Sequence, residues 1–91
     1  MKKVDVVVFL TQYNVVIRLT IPGNITKEEQ NLCGLLLQGR TISDIAQFRN
    51  RSIKTISTQK KRLYQKLGVK NDISFWRDVF FKFKMDISSV K

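Results

Sequence analysis

Pro22-Gly23 divides two kinds of hydrophobic pattern, and that division limits the fold more than any other feature of the chain. Before it lie Val4-Asp5-Val6-Val7-Val8-Phe9-Leu10 and Val15-Val16-Ile17-Arg18-Leu19-Thr20-Ile21, rich in β-branched residues and separated by Thr11-Gln12-Tyr13-Asn14. Such residues suit a pleated, half-buried surface, so this segment reads as two strands and a turn, a β-hairpin. The turn lacks an Asn-Gly or Asp-Gly pair. A lone hairpin is marginal in water. The hairpin, residues 1–22, therefore adds to a core made with later elements, pairs with another chain, or does both.

After the divide the period changes to that of helices. Thr26 with Glu29 three residues later is a capping box, in which hydroxyl and carboxylate each satisfy an orphan N–H. Leu32, Leu35 and Leu36 follow at helical spacing, and Gly39 stops the helix. Thr41 caps a short second helix with Ile42, Ile45 and Ala46 on one stripe, ending near Phe48. Ser52 caps a third helix, Ile53 to Leu67, stopped by Gly68. Asn71 caps a fourth, Asp72 to Phe83, with Ile73, Trp76, Val79, Phe80 and Phe83 on overlapping apolar faces. The expectation is a mainly α domain of four helices over residues 23–84, preceded by the hairpin, with residues 85–91 as a frayed tail.

Composition narrows the chemistry. The chain has 91 residues, seventeen Lys and Arg against seven Asp and Glu, and a net charge of +10. That excess points to a polyanionic partner, nucleic acid before an anionic membrane surface. With no histidine, the commonest general base and metal ligand is missing. No carboxylate pair is set for acid–base work and no glycine loop for phosphates, so no catalytic residue, metal or cofactor is expected and the chain does not read as an enzyme. Cys33 sits among leucines mid-helix and reads as a small buried hydrophobe. No apolar run approaches the roughly 20 residues of a membrane span. Asp5 interrupts the only segment resembling a signal peptide. The expected location is the cytoplasm. Met1 reads as the start of a complete gene product.

Charge is also concentrated. No acid occurs between Asp44 and Asp72, a stretch holding Arg49, Arg51, Lys54, Lys60, Lys61, Arg62, Lys66 and Lys70. At roughly 100° per residue, Ile56, Leu63 and Leu67 share one face of the third helix. Lys54, Thr58, Lys61 and Gln65 lie nearly opposite, flanked by Ser57 and Arg62. A single lysine stripe would be an ordinary solvated face. An acid-free run on a helix that follows a short helix and a tight turn suits phosphate neutralisation. Lys61 can donate to guanine, while Ser57 and Thr58 can serve several bases. The N–H groups from Ser52 to Thr55 can meet a phosphate. A membrane-surface role fits poorly, because the narrow apolar face is needed for the core.

Ile25-Thr26-Lys27-Glu28-Glu29, Gly39, Ile45-Ala46, Arg51-Ser52-Ile53-Lys54-Thr55-Ile56-Ser57 and Lys66-Leu67-Gly68-Val69 follow one another in an order and spacing that resemble the LuxR (GerE) type of helix-turn-helix domain. From Asn50 to Lys61, and through Asn71-Asp72-Ile73, the chain is most similar to the RcsB-like branch. The resemblance runs from about Ile25 to Phe80 and leaves out the hairpin. It implies that the second and third helices form the helix-turn-helix and that the third enters the major groove of double-stranded DNA. By the same resemblance Ser57, Thr58 and Lys61 contact bases, while Lys54, Thr55 and Gln59 hold the backbone or the groove edge. With Arg51, Ser52 and Arg62 from the basic run, these nine residues are the expected DNA-binding set. The last helix would be the dimerisation element, through Phe75, Trp76, Val79 and Phe80.

Two functions follow from this resemblance. One is a bacterial transcription factor that binds DNA sequence-specifically, as a homodimer. The other is an auxiliary protein that forms a heterodimer with another LuxR- or Rcs-type regulator and alters its DNA binding. The chain has no room for a receiver or sensor domain, and no small-molecule ligand is evident.

Overall fold

The computed structural model describes residues 2–90. Its elements are β1 (Lys3–Leu10), β2 (Val15–Pro22), α1 (Lys27–Leu37), α2 (Ile42–Arg49), α3 (Ile53–Leu67), α4 (Asp72–Phe81) and β3 (Lys84–Ser89). The hairpin and the four helices stand where the pattern puts them. The hairpin turn is closed by Asn14 in the left-handed conformation (φ 56°), which asparagine tolerates better than most residues. Side chains cap the helices as the sequence implies: Thr26 with Glu29, Thr41 with Asp44, Ser52, and Asn71 with Ser74.

The frayed tail needs correction. Lys84–Ser89 forms a third strand, antiparallel to β2, in a sheet of order β1-β2-β3; Lys91 lies outside the described residues. Met85 pairs with Leu19, Ile87 with Ile17, and Asp86 lies opposite Arg18. The strand forms because the outer edge of β2 would otherwise expose a row of unpaired peptide groups. For the same reason α4 ends at Phe81 instead of Phe83. The Lys82 and Phe83 amides both donate to the Asp78 carbonyl, which closes the last turn and releases the chain into β3.

Hairpin and helices share one core. Val6, Val8, Leu19 and Ile21 on the inner face of the sheet are buried in the same cluster as Leu32, Cys33, Leu36, Ile45, Ile56, Leu63, Phe75 and Val79. Gly23 joins the two parts where only glycine fits. Its amide donates to the Lys2 carbonyl at 2.8 Å, and a Cβ there would lie 2.8 Å from that carbonyl group.

The expected dimer face also needs correction. Phe75 and Val79 have no exposed surface. They lie on the side of α4 that meets the core, where the Phe75 ring stacks on Tyr64 with centroids 5.2 Å apart. Neither can meet a partner while the domain is folded. The exposed apolar residues of α4 are Ile73, Phe80 and Phe81, with Trp76 half-buried beside them.

Candidate nucleic-acid interface

Local sequence builds the turn that presents α3. After α2, Asn50 takes the left-handed conformation at φ 55°, and the Arg51 amide returns to the Ala46 carbonyl at 2.8 Å. Ser52 then caps α3, its hydroxyl accepting from the Thr55 amide at 3.1 Å. Three residues thus separate the helices. At the far end Gly68 turns left-handed at φ 76°, where a side chain would be strained.

Burial divides α3 along its length. Ile56, Leu63, Tyr64 and Leu67 are buried. Lys54, Thr55, Ser57, Thr58, Lys61, Arg62 and Gln65 are exposed, as are Arg51 and Ser52 before the helix. Eight of the nine expected DNA-binding residues are thereby brought to one accessible surface. Three of them already use their hydroxyls locally. Thr58 donates to the Lys54 carbonyl at 3.0 Å, and Thr55 shares a 2.9 Å hydrogen bond with Ser52.

Gln59 is the ninth and stands apart. It is half-buried, its Nε2 donates to Glu28 at 3.1 Å, and its Oε1 accepts from Arg49 at 3.2 Å. Arg49 also donates to the Glu28 carbonyl oxygen at 3.4 Å. This side chain joins α1, α2 and α3, and both ends of its amide are occupied. No periodicity could reveal that, because Glu28 is distant in sequence.

The cations of the basic run fall into two groups. Lys60 meets Asp72 at 2.8 Å, Lys66 meets Glu29 at 2.8 Å, and Arg49 lies 4.0 Å from Glu28. Hydrogen bonds from Lys60 and from the Tyr64 hydroxyl hold the Asp72 carboxyl below its ordinary range. Burial alone would raise Glu29, but Lys66 and the Thr26 amide and hydroxyl together outweigh it and leave the carboxyl low. Arg51, Lys54, Lys61, Arg62 and Lys70 have no such partner: among the described residues no carboxylate lies within 4.0 Å of them.

Lys70 was not in the expected set. It sits in the loop after α3 and, with Ser57, Lys61 and Gln65, lines a groove of about 560 Å³ beside that helix. Its place at the end of the acid-free run is the signal that could have found it. Among the described residues no cluster of side chains could hold a metal ion, and no helix is long and apolar enough to cross a membrane.

Known proteins share the helix-turn-helix part of this chain. The family of bacterial regulatory proteins called luxR (GerE) matches residues 23–77. The cyclic di-GMP phosphodiesterase PdeL of Escherichia coli (strain K12) is 46% identical over 89 residues, 98% of this chain and 25% of that protein. YuaB of the same strain, an uncharacterized HTH-type transcriptional regulator, is 40% identical over 84 residues, 92% of this chain and 24% of its own length. The transcriptional regulatory protein RcsB of that strain is 46% identical over 50 residues, 55% of this chain and 23% of that protein. The first two alignments are long enough to include part of the hairpin. The chain spans about a quarter of the length of these relatives. No solved structure matches it. With its helix-turn-helix in place and the match covering residues 23–77, the chain belongs to the luxR family of bacterial regulatory proteins, DNA-binding proteins of transcription regulation.

Proposed function

We propose that the chain binds double-stranded DNA sequence-specifically as a dimer, with α3 in the major groove. The observation that carries this reading is the exposed face of α3, where Lys54, Lys61 and Arg62 stand without acidic partners. Ser57, Thr58 and Lys61 read base edges, Lys61 through guanine and the Thr58 methyl through thymine. Arg51, Ser52, Lys54, Thr55, Arg62 and Lys70 hold phosphates and fix the register. Gln59 supports α3 from behind through Glu28 and Arg49.

The dimer forms along α4. Ile73, Trp76 and Phe80 follow at i, i+3 and i+7, the spacing of a helix-packing seam, and Ile73 and Phe80 are 83% and 60% exposed. A two-fold pair would set two copies of α3 toward successive turns of the groove.

The test is selection from a pool of genomic duplex fragments at several salt concentrations, with sedimentation of the wild type and of Ile73→Asp/Phe80→Asp. The expected result is a recurring two-fold site for a dimeric wild type. The variant should be a monomer that keeps the half-site preference with much weaker binding. Binding without preference would refute the groove assignment. A wild type that selects no site alone, but does so with another LuxR-type regulator added, would favour the heterodimer.

A further inference from the structure

β3 ends the sheet on one side, and α4 packs against it, as α3 packs against β2 and α1 against β1. The free edge of β3 and the exposed seam of α4 therefore belong to the same side of the domain. The Val90 amide donates to the Asn14 carbonyl at 2.9 Å, in register with the β2–β3 ladder. Antiparallel pairing alternates, so the Lys84, Asp86 and Ser88 peptide groups turn to β2, and those of Met85, Ile87 and Ser89 turn outward. Among the described residues no hydrogen bond reaches these outward groups from the open side.

The two faces of the strand differ. Met85 lies opposite the buried Leu19, so Met85 and Ile87 share the face that carries the helices, and Lys84 and Asp86 stand on the other. Five of the seven acids of the chain hold a cation, and Asp44 caps α2 with Thr41. Asp86 does neither. Its neighbour across the ladder, Arg18, is taken by Asp5 at 3.3 Å. Lys84 likewise has no carboxylate within 4.0 Å among the described residues. In a strongly basic chain the edge thus keeps one unpaired acid and one unpaired cation, two residues apart.

We propose that β3 pairs with β3 of a second copy, antiparallel and centred on Met85, so that the two sheets become one. Lys84-Met85-Asp86 is its own complement when read backwards. Each Lys84 then stands opposite the partner's Asp86, and Ile87, 59% exposed, stands opposite the partner's Phe83 on the helix side. The two Met85 residues exchange main-chain bonds through their outward groups. The Lys84–Asp86 pairs fall at the positions without such bonds, where side chains come closest. Centring on Asp86 would set two carboxylates against each other. Centring on Ile87 would put Lys84 and Asp86 opposite Val90 and Ser88, with no charge to meet. The proposal rests on the α4 dimer for its two-fold axis, which brings the two seams together beneath the joined sheet.

The test is sedimentation equilibrium of the full chain over a range of concentrations. The samples are the wild type, Lys84→Asp, Asp86→Lys, an equal mixture of those two variants, and the chain carrying both changes. The wild type should dimerise. Each single variant opposes like charges twice at the edge and should dimerise about tenfold more weakly. The mixture and the doubly changed chain restore opposite charges and should associate like the wild type. Net charge alone would instead tighten Lys84→Asp, because it lessens repulsion between two basic chains. Thermal melting checks the fold of each variant; if Asp86→Lys unfolds, Lys84→Asp and the doubly changed chain decide. A dimer lost in Ile73→Asp/Phe80→Asp but unmoved by Lys84→Asp would overturn the strand pairing and leave the α4 seam standing. So would a mixture that associates no better than either variant alone. A wild type that stays monomeric would overturn both readings and leave the edge to a different chain.

Discussion

Lys60 and Lys61 are neighbours in sequence, yet they serve two different edges of α3. Lys60 is 17% exposed at its side chain, holds Asp72 at 2.8 Å and lies 5.4 Å from the Tyr64 ring centre. Lys61 is exposed with no carboxylate in reach. The same division separates Lys66 and Arg49 from Lys54 and Arg62. Charge is therefore a poor guide to the site until the pairs are removed. The buried edge uses its cations to fasten α3 to α1 and α4, and the exposed edge leaves its cations without a carboxylate partner among the described residues.

The largest expected effect is on the fastened edge. Lys66→Ala leaves the Glu29 carboxylate, 8% exposed, without its cation. Stripping one partner from a buried pair should cost about 2 kcal/mol of stability, read by denaturant unfolding. Base preference should not change. A loss of preference with stability intact would break the comparison.

Acid should act on the same edge. Glu29 and Asp72 have lowered pKa values in the folded chain, so the stability they contribute is present above the ordinary carboxylate range and is lost as pH falls through the folded values. Without Lys66, burial should raise Glu29, so protonation should relieve the variant. The gap in Tm between wild type and Lys66→Ala should narrow as pH falls through the carboxylate range, beginning above the ordinary glutamate value of about 4.3. A constant gap would mean that the pair is not what links the helices.

A smaller change belongs to the free edge. Lys54→Ala should weaken binding to all sequences alike and lower the slope of log K against log salt by about 1, with Tm unchanged. A change in preferred base would move Lys54 from the backbone set to the reading set.

The helices were legible because their ends are written locally. Thr26, Thr41, Ser52 and Asn71 cap them, Gly68 stops α3 at the expected residue, and the period of Ile56, Leu63 and Leu67 fixed its buried face. What escaped depends on residues far apart in sequence. β3 is short and polar, and only the open edge of β2 makes Met85 and Ile87 a strand. Gln59 has the spacing of an accessible residue and is captured by Glu28 and Arg49. Phe75 and Val79 look like an apolar surface until Tyr64 and the core are seen to use them.

The most direct measurement compares Lys60→Ala with Lys61→Ala, each scored for Tm and for affinity to the selected site and its single-base variants. Lys61→Ala should keep Tm and lose about 1–3 kcal/mol of discrimination at one base pair. Lys60→Ala should lower Tm and keep the preference. Lost preference in Lys60→Ala, with full discrimination retained in Lys61→Ala, would contradict the division between the two edges of α3.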